Sequence, residues 1–229
     1  MRIVPRQNLT AKSILINMLI AAASLFVNGF GVYLTIHANI GAGPWDVFNL
    51  GLSKTFGMLY GTASIAVSAM ILLIDVLLRE PIGIAMLIDA VTVGKAVDLF
   101  NALDFVPTPK SIFGSVLMIL IGLVIMGYTQ AFYMFVSLGC GPRDTLLVGL
   151  KRRCKRIPIG AVSILMLAAV TLTGYLLGGP VGIGTLMNAF VTGPIMQFAF
   201  RTVHFDATAV RHQRLHVSLK IFADAIRGK

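Results

Sequence analysis

Long apolar runs broken by short polar or Gly-Pro stretches dominate the chain. Six of them, at roughly 13–36, 60–78, 82–102, 111–137, 159–178 and 181–200, are long enough for membrane helices. About 20 helical residues cross a hydrocarbon core of ~30 Å. Two shorter apolar stretches lie between them, from Pro44 to Phe56 and from Pro142 to about Gly149. Each begins with Gly and Pro and is too short to cross unaided, the first extending only ~20 Å as a helix. The pattern predicts an all-α membrane helix bundle of six full spans and two short Gly-Pro-initiated helices.

The pattern occurs twice. At an offset of 98, Gly29, Gly41, Gly43, Pro44, Asp46, Gly51 and Leu52 match Gly127, Gly139, Gly141, Pro142, Asp144, Gly149 and Leu150. At an offset of 99, Gly61, Ser64, Ile65, Pro81, Gly83, Ile84, Leu87, Ala90 and Gly94 match Gly160, Ser163, Ile164, Pro180, Gly182, Ile183, Leu186, Ala189 and Gly193. Apolar composition produces chance Leu and Ala matches. It does not readily produce two Gly-x-Gly-Pro-x-Asp motifs in register with two Pro-x-Gly-Ile motifs. The expectation is one membrane domain over 1–200, with a first repeat at 13–102, a second at 111–200, and a basic cytoplasmic tail at 201–229.

Composition agrees. Of 229 residues, 57% are hydrophobic and 12% charged, against roughly 25% charged in soluble domains. This excludes an ordinary cytosolic enzyme, a disordered chain and a disulfide scaffold. The net charge of +10 does not point to nucleic acid, because no basic stripe alternates with aromatics. Most basic residues sit in the first twelve positions, the run Lys151 to Arg156, and the tail, as cytoplasmic flanks of membrane helices do. Arg2, Arg6 and Lys12 precede the first run, but that run is too long for a signal-peptide core and reads as a span with its N-terminus inside. Cys154 lies in a basic run and is expected to be cytoplasmic and reduced. Two cysteines without a nearby His give no zinc site.

Charge also bears on topology. Lys151, Arg152, Arg153, Lys155 and Arg156 stand where the first half has Lys54 alone, and the basic tail matches a stretch from 102 to 110 with one lysine. Unequal charge fits matching segments on opposite sides, which favours six spans in inverted repeats. Spanning short helices would instead give eight spans in parallel repeats.

The two motifs, with Pro-x-Gly-Ile about 37 residues after each, resemble the YczE/YitT group of bacterial integral membrane proteins over about residues 13–200. YitT-type relatives carry a soluble C-terminal domain; the short tail here resembles the YczE-type branch. The resemblance implies a multi-pass protein of the bacterial cytoplasmic membrane, and no catalytic residues.

Candidate chemistry centres on the breaks. Gly41, Gly43, Pro44 and Asp46, with Gly139, Gly141, Pro142 and Asp144, describe helix starts after tight turns. Gly permits positive φ, Pro suits the first turn, and Asp opposes the positive dipole end. That structural role is complete in itself. Paired breaks in two halves also point to a transporter's substrate site. Within the third segment, Asp89 is an intramembrane carboxylate whose counterpart is Asn188, and both are candidate ligands. Lys95 and Asp98 are secondary candidates that can pair on one helix face. Asp75 and Arg79 read as an interfacial pair. Asn17, Asn28 and Gln130 read as ordinary interhelical hydrogen-bonding groups, and Gly57/Gly61 and Gly174/Gly178 as close-packing pairs. Val217, Leu219, Ile221, Phe222 and Ile226 give the tail an apolar side suited to the anionic inner leaflet; a solvated tail is the alternative.

No P-loop, His-Glu-x-x-His or Gly-x-Ser-x-Gly is present, so no enzyme is expected, and no metal or cofactor. The expected partners are the lipid bilayer and a small solute or coupling ion. The leading expectation is a secondary transporter or channel with its site between the repeats. The alternative is a non-transporting regulator or scaffold working through the basic loop and tail.

Overall fold

The computed structural model describes residues 10–205, 210 and 213–226. The basic residues Arg2 and Arg6, parts of the tail including His212, and the side chain of Ile226 lie outside the described residues. The order is α1 (Ala11–His37), α2 (Pro44–Phe56), α3 (Tyr60–Leu77), α4 (Ile84–Leu103), α5 (Ile112–Phe135), α6 (Pro142–Arg153), α7 (Ile159–Leu176), α8 (Ile183–Thr202) and α9 (Leu215–Ile226). All six long apolar segments and both short ones form helices. By length and composition, α1, α3, α5, α7 and α8 suffice to cross a membrane. Helix α4 has the length, but carries Asp89, Lys95 and Asp98.

The long helices α1 and α5 pack together and run antiparallel. Asn17 donates to the Val136 carbonyl at 3.1 Å, and Asn28 donates to Thr129 Oγ1 at 2.9 Å. Farther along, a Cβ on Gly31 would stand 2.8 Å from the Gly122 carbonyl. His37 at the end of α1 meets Thr108, just before α5. Asn17 and Asn28 thus hold helix to helix, as expected. Helix α4 runs parallel to α1: Ile84 and Ala85 cluster with Ile14 and Ala21, and Val97 with Val32. Helix α8 runs parallel to α5, Gly184 lying near Ile119 and Ile195 near Gly127.

The ends of the bundle can therefore be told apart. One end gathers the starts of α1 and α4, the end of α5 and the tail helix. The other gathers the end of α1 and the starts of α5 and α8. The two short helices pack crosswise. Helix α2 lies on the α7–α8 turn: Asn188 faces its start, and Thr55 near its end donates to the Leu177 carbonyl at 3.0 Å. Helix α6 lies on the α3–α4 turn: Asp89 faces its start, and Glu80 packs on Gly149 near its end. Each short helix thus runs back from its start, faced by Asn188 or Asp89, to a turn at one end of the bundle.

Tight turns make this possible. Gly41 and Gly139 have φ of +107° and +131°, a region glycine reaches without strain. A Cβ at Gly41 would lie 2.6 Å from the Gly182 nitrogen. Gly43 and Gly141 are N-caps, with Pro44 and Pro142 opening the helices, as the motif predicts. Of the expected packing pairs, Gly61 and Gly174 do approach backbone closely. Gly57 and Gly178 instead carry positive φ, of 65° and 84°, as left-handed turn residues following α3's predecessor α2 and α7; turn geometry, not helix contact, explains them.

Helix α9 packs on the bundle through Leu215, Ile221 and Phe222, while Val217 and Leu219 are exposed. The apolar side expected to lie on lipid is thus partly used within the protein. Backbone bonds from Gln213 to Ser137 (2.8 Å) and from Leu215 to Ile82 (2.7 Å) seat its start.

Candidate functional site

The starts of α2 and α6 meet inside the bundle. The Arg143 guanidinium lies over the Trp45 ring, 5.2 Å from its centroid. These residues occupy matching places in the two motifs, offset by 98. A cation over an indole face gains about 0.5–2 kcal/mol, more when desolvated. Among the described residues, Arg143 has no carboxylate within 4 Å, although Asp46, Asp89 and Asp144 all lie within its electrostatic reach.

Each helix start is faced by a polar residue from the other half of the chain. At α2, a Cβ on Gly43 would stand 2.9 Å from Asp46 Oδ2 and 3.3 Å from Asn188 Oδ1. At α6, a Cβ on Gly141 would stand 2.8 Å from Asp89 Oδ2 and 3.7 Å from Asp144 Oδ2. Glycine at both caps leaves room for the facing group. The sequence candidates Gly43, Pro44, Asp46 and Asn188 thus form one cluster, and Gly141, Pro142, Asp144 and Asp89 the other. Gly41 and Gly139 shape the turns behind them. Three carboxyl groups and one guanidinium thus share the seam.

The clusters differ in detail. Asp46 is buried and accepts a hydrogen bond from the Tyr60 hydroxyl at 2.7 Å; Asn49 donates to that hydroxyl at 3.4 Å. Asn188 donates to the Gly184 carbonyl at 2.8 Å, which holds its oxygen toward α2. Asp89 is half-buried, whereas Asp144 is exposed and accepts only a long bond from Gln130 at 3.4 Å. The Tyr133 hydroxyl is buried and has no partner among the described residues.

Similarity to known proteins now bears on this arrangement. A family model described as a family of unknown function, DUF6198, matches residues 15–201. The chain belongs to that family. It is 32% identical to the uncharacterized membrane protein YczE of Bacillus subtilis (strain 168) over 183 residues, 77% of this chain and 82% of that one. An uncharacterized protein of Haemophilus influenzae is 30% identical over 203 residues, 86% of this chain and 91% of its own. The uncharacterized protein YyaS of Bacillus subtilis is 28% identical over 179 residues, 75% and 86% of the two chains. No solved structure matches. The chain is thus a membrane protein of the YczE-like DUF6198 group, and the seam lies wholly inside the segment that the family model covers.

Other candidates in this DUF6198 chain fall elsewhere. Lys95 and Asp98 do not pair. Asp98 Oδ1 instead accepts the Gly61 backbone N–H at 2.7 Å, at the start of α3, and Lys95 is exposed. A free helix-start N–H is the better partner for a carboxylate. Asp75 and Arg79 do not pair either. Asp75 is fully buried and its carboxylate oxygens have no partner among the described residues, while Arg79 is exposed. Glu80 takes the cations at this end: Arg152 bonds it at 2.8 Å and Arg153 at 3.5 Å. A cleft of about 320 Å³ there is lined by Arg79, Glu80, Arg152, Arg214 and His216, apart from the Gly-Pro seam.

Sequence reasoning missed Arg143, Trp45, Tyr60 and Tyr133. The first two are the variable place inside an otherwise matched motif, a signal that was readable. Gln130, read as an interhelical hydrogen-bonding group, does bond from α5 to α6, and its partner there is the candidate Asp144.

Proposed function

We propose that this protein is a secondary transporter or channel-like carrier of a small polar solute. It is built from two homologous halves of inverted topology, with six spans and two re-entrant helices. The observation that carries the reading is the crosswise meeting of each short-helix start with Asn188 or Asp89 of the opposite half. Broken backbone at membrane depth is tolerated where protein or water satisfies it, and a pair of such breaks between two halves is the arrangement of many transporter sites. The antiparallel course of α1 and α5 and the return of each short helix support inverted halves. The three intramembrane carboxyl groups of Asp46, Asp89 and Asp144, set near the one guanidinium of Arg143, favour a cation or a proton as the coupled species. The basic run at 151–156 and the tail gather at the end where α1 begins, which supports cytoplasmic termini in a bacterial inner membrane. No reaction is assigned to the chain.

The test is electrical. The purified protein in proteoliposomes on a solid-supported membrane is exposed to jumps of protons, sodium and small organic ammonium ions. At least one jump should give a current, and Asp89→Asn and Asp46→Asn should each abolish it while leaving membrane insertion intact. No current for any of them, or currents that both variants keep, overturns the reading.

A further inference from the structure

Matching positions of the two halves are not in matching surroundings. Gly61 and Gly94 press together: a Cβ on Gly94 would stand 3.0 Å from the Gly61 Cα, and one on Gly61 2.5 Å from the Gly94 carbonyl. Their counterparts, Gly160 and Gly193, have nothing within 4 Å. Helices α3 and α4 pack closely on each other, whereas α7 and α8 touch at most marginally. Asp98 closes the first pair by accepting the Gly61 N–H; its counterpart Gln197 is exposed and bonds to nothing among the described residues.

The difference reaches the carboxylates. Asp46 is sealed under the Tyr60 hydroxyl, and Leu50, one turn on, packs with Val32, Tyr60 and Val97. At the matching places on α6, Asp144 is exposed and Val148 is 41% exposed. The α7–α8 turn holds those helices together at the end of the bundle where α8 starts, with Gly179 against Val47 and Gly182 against Ile40. They diverge toward the other end, where α1 begins. The closed pair, α3 and α4, is joined by its turn at the α1-start end and zipped by Gly61 and Gly94 toward the other.

We infer that the wedge between α7 and α8 is the water-filled mouth through which the carboxylate seam meets the α1-start side, that the α3–α4 contact is the same gate shut, and that the protein works by trading the two arrangements. The mouth admits polar, water-borne solutes, because it opens onto the Asp144 carboxylate and the Gln130 amide. In the exchanged state, Gly160 closes on Gly193 and covers Val148, while α3 leaves α4 and uncovers Leu50 toward the opposite side. Two packings of comparable energy are what such a switch needs. The inference extends the transport reading to a pathway, but its test does not depend on finding the solute.

The test uses the full chain in membrane vesicles, with Cys140→Ser and Cys154→Ser as background. A membrane-impermeant maleimide should modify Val148→Cys from the side where α1 begins, and should modify Leu50→Cys far more slowly. Gly160→Cys with Gly193→Cys places thiols in open space, so folding should tolerate both. Closure like that of Gly61 on Gly94 brings them within the ~4.4–6.8 Å Cα separation of a disulfide. Oxidation should then give an intramolecular crosslink, loss of labelling at 148, and new labelling at 50 from the opposite side. Three results overturn the inference: no intramolecular crosslink, a crosslink only between two chains, or a crosslink that leaves labelling at 148 and 50 unchanged. The second would make the open space a subunit interface. Reciprocal labelling without ion currents would refute transport and keep the gate; currents with static labelling would do the reverse.

Discussion

At the scale of single residues, surroundings outweigh residue type. Gly174 and Gly160 both lie on α7, yet a Cβ at Gly174 would stand 2.6 Å from the Phe48 Cα, and one at Gly160 would meet nothing. Gly174→Leu should therefore force α2 away from α7 and cost more than the ~1–3 kcal/mol of ordinary overpacking; Gly160→Leu should leave the unfolding midpoint unchanged. Thermal unfolding in detergent separates the two. Tyr60→Phe removes the sole side-chain donor that Asp46 has among the described residues and should cost about 1–3 kcal/mol, as an unsatisfied buried acceptor does. Asp46→Asn in the Tyr60→Phe background should recover part of that loss. The motif candidates were legible at this scale because Gly, Pro and Asp each have a backbone role that spacing reveals. The partner of Asp98 was not: Lys95 is three residues away on the same helix, while the Gly61 N–H that Asp98 takes is 37 positions distant. Only the fold brings α3 and α4 together.

At the scale of elements, hydrophobic length located the helices well, since bilayer thickness sets it. What an element packs against is another matter. The tail reads as amphipathic, but its apolar residues have two possible partners, lipid and protein, and periodicity cannot choose between them. Here Leu215, Ile221 and Phe222 pack against the core cluster that includes Ile14, Leu25 and Val136. Removing 213–229 should lower the unfolding midpoint without preventing membrane insertion, read by thermal unfolding and by alkaline extraction of membranes. At the same end, Glu80 is only 3% exposed in its side chain, while Arg152 and Arg153 are 61% and 46% exposed. Solvent screens such a pair, so a double-mutant cycle of Glu80→Gln with Arg152→Gln should give a coupling of about 1 kcal/mol or less, shrinking as salt rises.

At the scale of the whole molecule, the unequal loop charges lead to the expectation that matching segments lie on opposite sides. Lys54 lies beside Gly178 at the end where α8 starts, and the Lys155 carbonyl bonds Lys151 at the end of α6. Single cysteines at 54 and 155, with the native cysteines replaced, should react with an impermeant maleimide from opposite sides of oriented vesicles. Reaction from one side would require parallel halves. The matched positions were legible as a pattern; their unequal packing was not, because Gly160 and Gly193 look the same in sequence as Gly61 and Gly94. Matching sequence says which groups correspond, and leaves their packing free.

The contact of Trp45 with Arg143 bears on the proposed duplication. Were the chain a fusion of two identical subunits related by a twofold axis at this spot, the separate subunits would have set like against like there, arginine against arginine or indole against indole. A single polypeptide is free of that constraint, and an arginine resting on a tryptophan is a pairing open only to unequal partners.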